Sequence, residues 1–178
     1  MTIESCYVIG SVINAREEKD PGDIYASGIV GKNVSGTTVK NCYVYAAVTI
    51  SNENDGQKYA AAGDKVTLDG PVYCLTGDGY AFVGENVAFK TEEQFKSGHV
   101  AALLGTAFGQ EIGVDQHPVL SNGSNQVFEV NGEYKNASPD VAVSLIDAIG
   151  TVGIDGSENC FALVTLARQC YDILSEAD

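Results

Sequence analysis

Apolar and polar positions alternate along two stretches of the chain that resemble each other. Residues 4–12 and residues 40–48 match in register at Cys-Tyr-Val and at their final valine. Alternation of this kind is typical of a β-strand that turns one face to the core. In the second stretch, the positions expected to face the core are Cys42, Val44, Ala46, Val48 and Ile50.

The same pattern recurs a third time, in a weaker form, at Val72-Tyr73-Cys74. The cysteines of the three copies lie 36 and 32 residues apart (42 − 6 and 74 − 42). Near-constant spacing in this range is typical of stacked structural repeats, each forming one turn of a solenoid. Residues 1–90 are therefore predicted to form a short right-handed β-solenoid in a mainly β protein.

Residues 91–136 carry the signals of a helix and a β-hairpin that together cap the solenoid. Thr91-Glu92-Glu93-Gln94 is a capping box, and a second helical segment runs from Gly98 to Leu104. Asn131-Gly132, between two strand-like stretches, predicts a two-residue hairpin turn. The apolar side chains expected to cover the last solenoid turn are Phe95, Val100, Leu103 and Leu104.

Residues 137–178 are predicted to form a pair of α-helices. Ser138-Pro139-Asp140 combines an N-cap, a proline and an acid at a helix start, and Gly150 favours the end of that helix. A second amphipathic helix is expected to begin near Ser157 and to bury apolar residues at i, i+3, i+4 and i+7.

The chain carries a formal net charge of −14. This charge excludes a general affinity for nucleic acid or for anionic membranes, because both require a basic face. No stretch approaches the ~18 apolar residues that a membrane-spanning helix needs, so no membrane insertion is expected. The acidic residues are interpreted as keeping the protein soluble. The alternative interpretation is that they bind calcium or another cation at the surface.

Residues 51–56 place oxygen donors beside a glycine turn, as the calcium loop of an EF-hand does. An EF-hand itself is excluded, because its first position is Ser51 rather than aspartate and its twelfth is Ala62 rather than glutamate. A weak calcium site at Glu53 and Asp55 stays as a hypothesis, and no other cofactor is predicted.

The five cysteines are expected to be free thiols. None belongs to a CxxC pair, and no histidine lies at ligand spacing from any of them, so a zinc site is not predicted. Cys6 and Cys42 fall on the inward face of their strands, where a thiol behaves as a small buried hydrophobe. Stacked strands lie ~4.8 Å apart, within disulfide range, but parallel side-chain directions disfavour a bridge.

The sequence contains no catalytic motif that we recognise. His99 and His117 have no HExxH neighbourhood, and the chain has no GxSxG elbow, Walker loop or GxGxxG. The protein is therefore predicted not to be an enzyme. The alternative is a polysaccharide-active β-helix enzyme that uses loop carboxylates, such as Asp64 and Asp69.

Four tyrosines offer a candidate binding surface. Tyr7, Tyr43, Tyr45 and Tyr73 are expected on the outward strand face, where a tyrosine ladder suits contact with a sugar or a protein. In the alternative interpretation, which is favoured, a neighbouring sheet covers these side chains or they stabilise cross-strand pairs.

Gly28-Ile29-Val30-Gly31, followed by residues 36–44, resembles the GLUG repeat of large bacterial surface proteins. That repeat has a glycine-bracketed apolar pair, a gap, and then a strand with valine, asparagine, cysteine and tyrosine. The glycines fit tight corners, where a Cβ would crowd the neighbouring turn. Residues 59–63 depart from the glycine-bracketed pattern, so the array is expected to end there.

Two further segments resemble parts of such proteins. Residues 95–120 are similar to a segment that commonly closes GLUG arrays, with Phe108 in place of a tryptophan. Residues 145–174 resemble a small helical module in which a third helix follows, so the module is expected to be truncated here. Met1 directly precedes a repeat, which favours an excised piece of a longer protein.

The resemblance implies a module of an extracellular protein that is attached to the bacterial cell surface. Its expected role is structural or adhesive, as a stalk or spacer. Its expected partners are the neighbouring domains of the longer protein, and a host glycan or host protein is the candidate ligand.

Overall fold

A computed structural model gives the fold of the chain. The residues that it describes are 1–14, 24–31, 36–50, 56–77, 79–82, 84–121, 123–150 and 158–175. The chain divides into two compact units, Met1–Glu92 and Glu93–Asp178. Among the helices in the described ranges, none has the length and apolar character that crossing a bilayer requires.

The first unit is built from strands that pair in parallel. In chain order they are β1 (Thr2–Glu4), β2 (Tyr7–Asn14), β3 (Ile24–Ser27), β4 (Thr38–Lys40), β5 (Tyr43–Ile50), β6 (Gly56–Tyr59), β7 (Thr67–Asp69), β8 (Val72–Leu75), β9 (Tyr80–Phe82) and β10 (Val87–Lys90). They form three sheets, with strand orders β1-β4-β7, β2-β5-β8-β10 and β3-β6-β9. Three successive segments of the chain therefore each contribute one strand to every sheet.

The register of the second sheet differs from the one that the cysteine spacing predicts. Tyr7 pairs with Tyr43 and Tyr43 with Tyr73, so the repeats are 36 and 30 residues long (43 − 7 and 73 − 43). Cys74 pairs with Val44 and thus occupies the valine position of the repeat rather than the cysteine position. The third cysteine is therefore not stacked on the first two.

Each segment turns from the first sheet to the second at the same place. Ser5, Asn41 and Gly70 directly follow β1, β4 and β7, and their φ angles are 51°, 48° and 87°. These are left-handed conformations, which asparagine and glycine tolerate better than most residues. The Asn41 Nδ2 group also donates a hydrogen bond to Ser5 Oγ over 3.4 Å, which links two successive corners.

The core of the first unit lies on the face of β5 that the alternation predicts. Its buried members are Val30, Val39, Cys42, Val44, Ala46, Ala60, Ala61, Ala62, Val72 and Cys74. Cys6, in contrast, was expected to be buried and is exposed. The reason is its position beside β2, which is an edge strand of its sheet and has a neighbour on one side only.

Gly28 is a position where the packing of the first unit leaves no room for a side chain. A Cβ there would lie 2.5 Å from the Ala60 carbonyl oxygen and 2.7 Å from a Val44 methyl carbon. We expect Gly28→Ala to lower the free energy of unfolding by about 2 kcal/mol, because the backbone must shift to relieve the overlap.

The matched control is Gly31→Ala, at the other glycine of the bracketed pair. Among the described residues, a Cβ at Gly31 meets nothing within 4 Å, so this change is expected to cost less than about 0.5 kcal/mol. Urea unfolding followed by circular dichroism compares the two variants. Equal losses at both positions would contradict a steric role for Gly28.

The second unit contains two antiparallel strand pairs and most of the helical residues. After α1 (Glu92–Lys96) come α2 (His99–Leu104), β11 (Phe108–Gly109), β12 (Val119–Leu120), β13 (Val127–Val130), β14 (Glu133–Asn136), α3 (Pro139–Ile149) and α4 (Glu158–Ser175). The β13–β14 hairpin turns at Asn131 and Gly132, whose φ angles of 53° and 81° confirm the predicted two-residue turn.

The C-terminal helical pair packs against this hairpin. Ser138 caps α3, since its Oγ accepts a hydrogen bond from the Val141 amide over 3.2 Å, as predicted. The buried side chains that hold β13, α3 and α4 together are Phe128, Val130, Val141, Ala142, Leu145, Ala167 and Cys170. The chain as a whole is therefore a mixed protein, with parallel sheets followed by helices that include a C-terminal pair.

The short helices α1 and α2 bury most, but not all, of the expected apolar residues. Phe95, Val100 and Leu104 are buried, whereas Leu103 is 48% exposed and does not belong to the packed face. Within the second unit, Gln110 Nε2 donates to the Phe95 carbonyl oxygen over 2.9 Å, which holds the end of α1 in place.

Candidate functional site

The predicted tyrosine ladder exists on the second sheet. Tyr7, Tyr43 and Tyr73 lie in register on β2, β5 and β8. The rings of Tyr7 and Tyr43 are stacked, with centroids 5.1 Å apart and planes 3° from parallel. Lys90 Nζ lies 5.6 Å from the centroid of the Tyr73 ring, within the range of a cation–π contact.

Most of this ladder is not open to a ligand. Tyr43 is 0% exposed and Tyr73 is 7% exposed, so these two predicted binding residues present little ring surface to a ligand. Burial, and to a smaller extent the nearby Tyr7, holds the pKa of Tyr43 far above its ordinary value. Tyr7 and Tyr45 are half-buried, and a ligand-binding role stays a hypothesis for them.

The predicted metal and carboxylate sites are only partly described. Glu53 and Asp55, the proposed calcium ligands, lie outside the described residues. Asp64 and Asp69 are both exposed. Within the part of the chain that the structure covers, no group of three or more histidine, cysteine, aspartate or glutamate residues could hold a metal ion.

The first unit contains a small cleft. Its volume is about 190 Å³, which is below the ~300 Å³ at which ligand pockets begin. The residues that line it are Ala62, Gly63, Val66, Leu68, Gly84, Glu85 and Asn86. Glu85 is the one ionisable side chain among these lining residues, so the cleft lacks the carboxylate pair that glycoside hydrolysis uses.

Both histidines make hydrogen-bond contacts inside the second unit. His99 Nδ1 lies 2.9 Å from Tyr134 Oη, and the two rings pack with centroids 5.0 Å apart. His117 Nδ1 lies 2.9 Å from the carbonyl oxygen of Pro118. These contacts explain why the two rings are placed where they are without invoking a reaction.

Cys6 and Cys42 are free thiols, as predicted, and they lie close together before β2 and β5. The Cys6 amide donates a hydrogen bond to Cys42 Sγ over 3.3 Å, and the Cys42 thiol donates to the Lys40 carbonyl oxygen over 3.1 Å. Burial raises the pKa of the Cys42 thiol, and the neighbouring Cys6 thiol raises it further. The signal in the sequence was the Cys-Tyr pair itself, which recurs with the spacing of one repeat.

The comparisons with known proteins identify no relative of this chain. No protein-family model matches it, and neither a curated protein nor a solved structure does.

Proposed function

We propose that residues 1–90 form a short right-handed β-solenoid and that the chain is a non-catalytic structural module of a bacterial cell-surface protein. One observation carries the proposal: each of three parallel sheets takes one strand from each of three successive segments. Stacking of this kind is the way in which a repeat too small to bury its own core acquires one.

A role as stalk or spacer suits this arrangement. Backbone hydrogen bonds join neighbouring strands in all three sheets, so each repeat is held to the next at three strands. The net charge of −14 keeps such a module soluble and disfavours association with other acidic surfaces. The resemblance of residues 28–44 to GLUG repeats supports the cell-surface setting.

The burial of the tyrosine ladder favours a structural role over a ligand-binding one. A sugar-binding strip needs aromatic faces that solvent can reach, and Tyr43 and Tyr73 are buried. Stacked side chains on neighbouring strands instead stabilise the pairing of those strands. Adhesion through the half-buried Tyr7 and Tyr45 is retained as the second candidate function, because they are the accessible members of the four.

The cell-surface setting is tested by labelling intact cells of the source organism with an antibody raised against this chain. We expect labelling without permeabilisation, and release of peptides from the chain when intact cells are treated briefly with trypsin. An antibody to a cytoplasmic protein serves as the control for leakage. Labelling that appears only after permeabilisation would contradict the cell-surface setting.

The two candidate functions are separated by presenting the purified chain to an array of glycans and extracellular-matrix proteins. A purely structural module shows no hit. A specific hit that Tyr45→Ala abolishes, while the variant keeps the circular dichroism spectrum of the parent, would establish the ligand-binding function instead.

A further inference from the structure

Cys6 and Cys42 occupy equivalent positions directly before two paired strands. They directly precede Tyr7 and Tyr43, which pair in register on β2 and β5. Cys42 Sγ accepts a hydrogen bond from the Cys6 amide over 3.3 Å, so this sulfur is in contact with the backbone of the first repeat. The Cys6 thiol donates to the Glu4 carbonyl oxygen over 3.2 Å, and the Cys42 thiol donates to the Lys40 carbonyl oxygen over 3.1 Å.

We propose that Cys6 and Cys42 are a reactive dithiol that exchanges with small-molecule disulfides and closes a covalent bond between neighbouring repeats. The proposal is independent of the function proposed above. It rests on the geometry of the pair and on the difference in exposure between its two members.

The geometry of the corner removes the main objection to such a bond. In-register positions on parallel strands are ~4.8 Å apart, inside the Cα range of about 4.4–6.8 Å for disulfides. Within a regular strand the two side chains would point the same way. Cys6 and Cys42, however, lie before their strands and directly after Ser5 and Asn41, which have left-handed backbone conformations. Each thiol donates to the carbonyl oxygen two residues earlier, so closing the bond requires the Cys6 side chain to rotate away from Glu4, and the exposure of Cys6 leaves room for that rotation.

The exposure of the two residues sets the order of the chemical steps. Cys6 is exposed and Cys42 is buried, so an external disulfide RSSR reaches Cys6 first. The Cys6 thiolate attacks one sulfur of RSSR, forms a mixed disulfide and releases one thiol RSH. The Cys42 thiolate then attacks the Cys6 sulfur, closes the Cys6–Cys42 bond and releases the second RSH. RSSR is reduced to two thiols, and the protein dithiol is oxidised.

The remaining cysteines do not offer a comparable pair. Cys74 lies on β8 in register with Val44, so it is not stacked on Cys42. Cys160 and Cys170 belong to the same helix, α4, and ten residues of helix separate their Cα atoms by ~15 Å. Within the second unit, Cys170 is also buried, with its thiol directed at the Ser138 carbonyl oxygen.

The test is to incubate the native full chain with oxidised glutathione, to block remaining thiols with iodoacetamide, and to digest it with trypsin. We expect the peptide that ends at Arg16 to be linked to the peptide that begins at Asn41, and the link to disappear after treatment with dithiothreitol. Because burial raises the pKa of Cys42, the mixed disulfide on Cys6 is expected to accumulate before the link closes.

Two variants and one physical measurement complete the test. Cys42→Ser is expected to stop at the glutathione adduct of Cys6, and Cys6→Ser is expected to leave Cys42 unmodified. The linked wild-type protein is expected to melt at a higher temperature than the reduced protein, with the same circular dichroism spectrum. The peptide link is measured on the wild-type chain, so the test does not depend on whether either variant folds. A wild-type chain that stops at the adduct, or that links the two peptides only in urea, would overturn the proposal.

Discussion

Tyr43→Ala is expected to lower the free energy of unfolding of the first unit by about 4 kcal/mol, as is typical when a large buried aromatic side chain is removed. Tyr43 is 0% exposed, and its ring stacks on that of Tyr7. The change removes both the buried apolar area and the stack, and it leaves a cavity inside the second sheet. Urea unfolding followed by far-ultraviolet circular dichroism measures the loss.

Tyr45→Ala is the matched control for this prediction. Tyr45 lies two residues further along the same strand and the same face, but it is only half-buried. Its replacement is expected to cost about 1 kcal/mol, in line with the smaller area that is buried. A double-mutant cycle between Tyr7 and Tyr43 should give a coupling of about 1 kcal/mol for the stacked pair. Equal losses for Tyr43→Ala and Tyr45→Ala would contradict the structural role of the ladder.

The first unit is also expected to lose about 4 kcal/mol of stability between about pH 9 and about pH 12, because of Cys74. Burial raises the pKa of the Cys74 thiol from 9.0 to about 12. A thiol whose pKa is higher in the folded state binds its proton more tightly there. Its contribution is therefore complete below pH 9 and is lost as the pH rises through the pKa of the folded state.

Cys74→Val isolates this effect from the other groups that titrate at high pH. Valine already occupies the same register position in the neighbouring repeats, at Val8 and Val44, so the change is expected to cost less than about 1.5 kcal/mol near pH 7. Unfolding free energies at about pH 8 and about pH 11 should differ less in the variant than in the parent. Parallel pH profiles for the two proteins would rule out Cys74 as the cause.

The stacking of the strands was predictable because it follows from local pattern. Cys-Tyr-Val recurs with matching neighbours, and a strand that pairs in parallel with its own repeat keeps equivalent residues in register. The alternation along β5 likewise indicated the buried face correctly. Helix α3 and the β13–β14 hairpin were predictable from the Ser138 cap and the Asn131-Gly132 turn, since these signals act within a few residues.

What could not be predicted depends on neighbours that are distant in the chain. Alternation assigns Cys6 to a face of its strand, but it does not say that β2 is an edge strand. Alternation likewise predicts that Tyr43 points outward, but it does not predict that the Tyr7 ring stacks against it. The register of the third repeat was predicted wrongly because Cys74 was aligned with Cys6 and Cys42. It pairs with Val44 instead, since a cysteine can replace a valine as a small core residue.

The unequal repeats show that strand pairing tolerates connecting segments of different length. Tyr7, Tyr43 and Tyr73 stay aligned although the first interval is 36 residues and the second is 30 (43 − 7 and 73 − 43). The separation of paired strands is set by backbone hydrogen bonding, at ~4.8 Å, and not by how many residues connect the strands. A change in the length of a connecting segment is therefore expected to leave the separation of the paired strands unchanged.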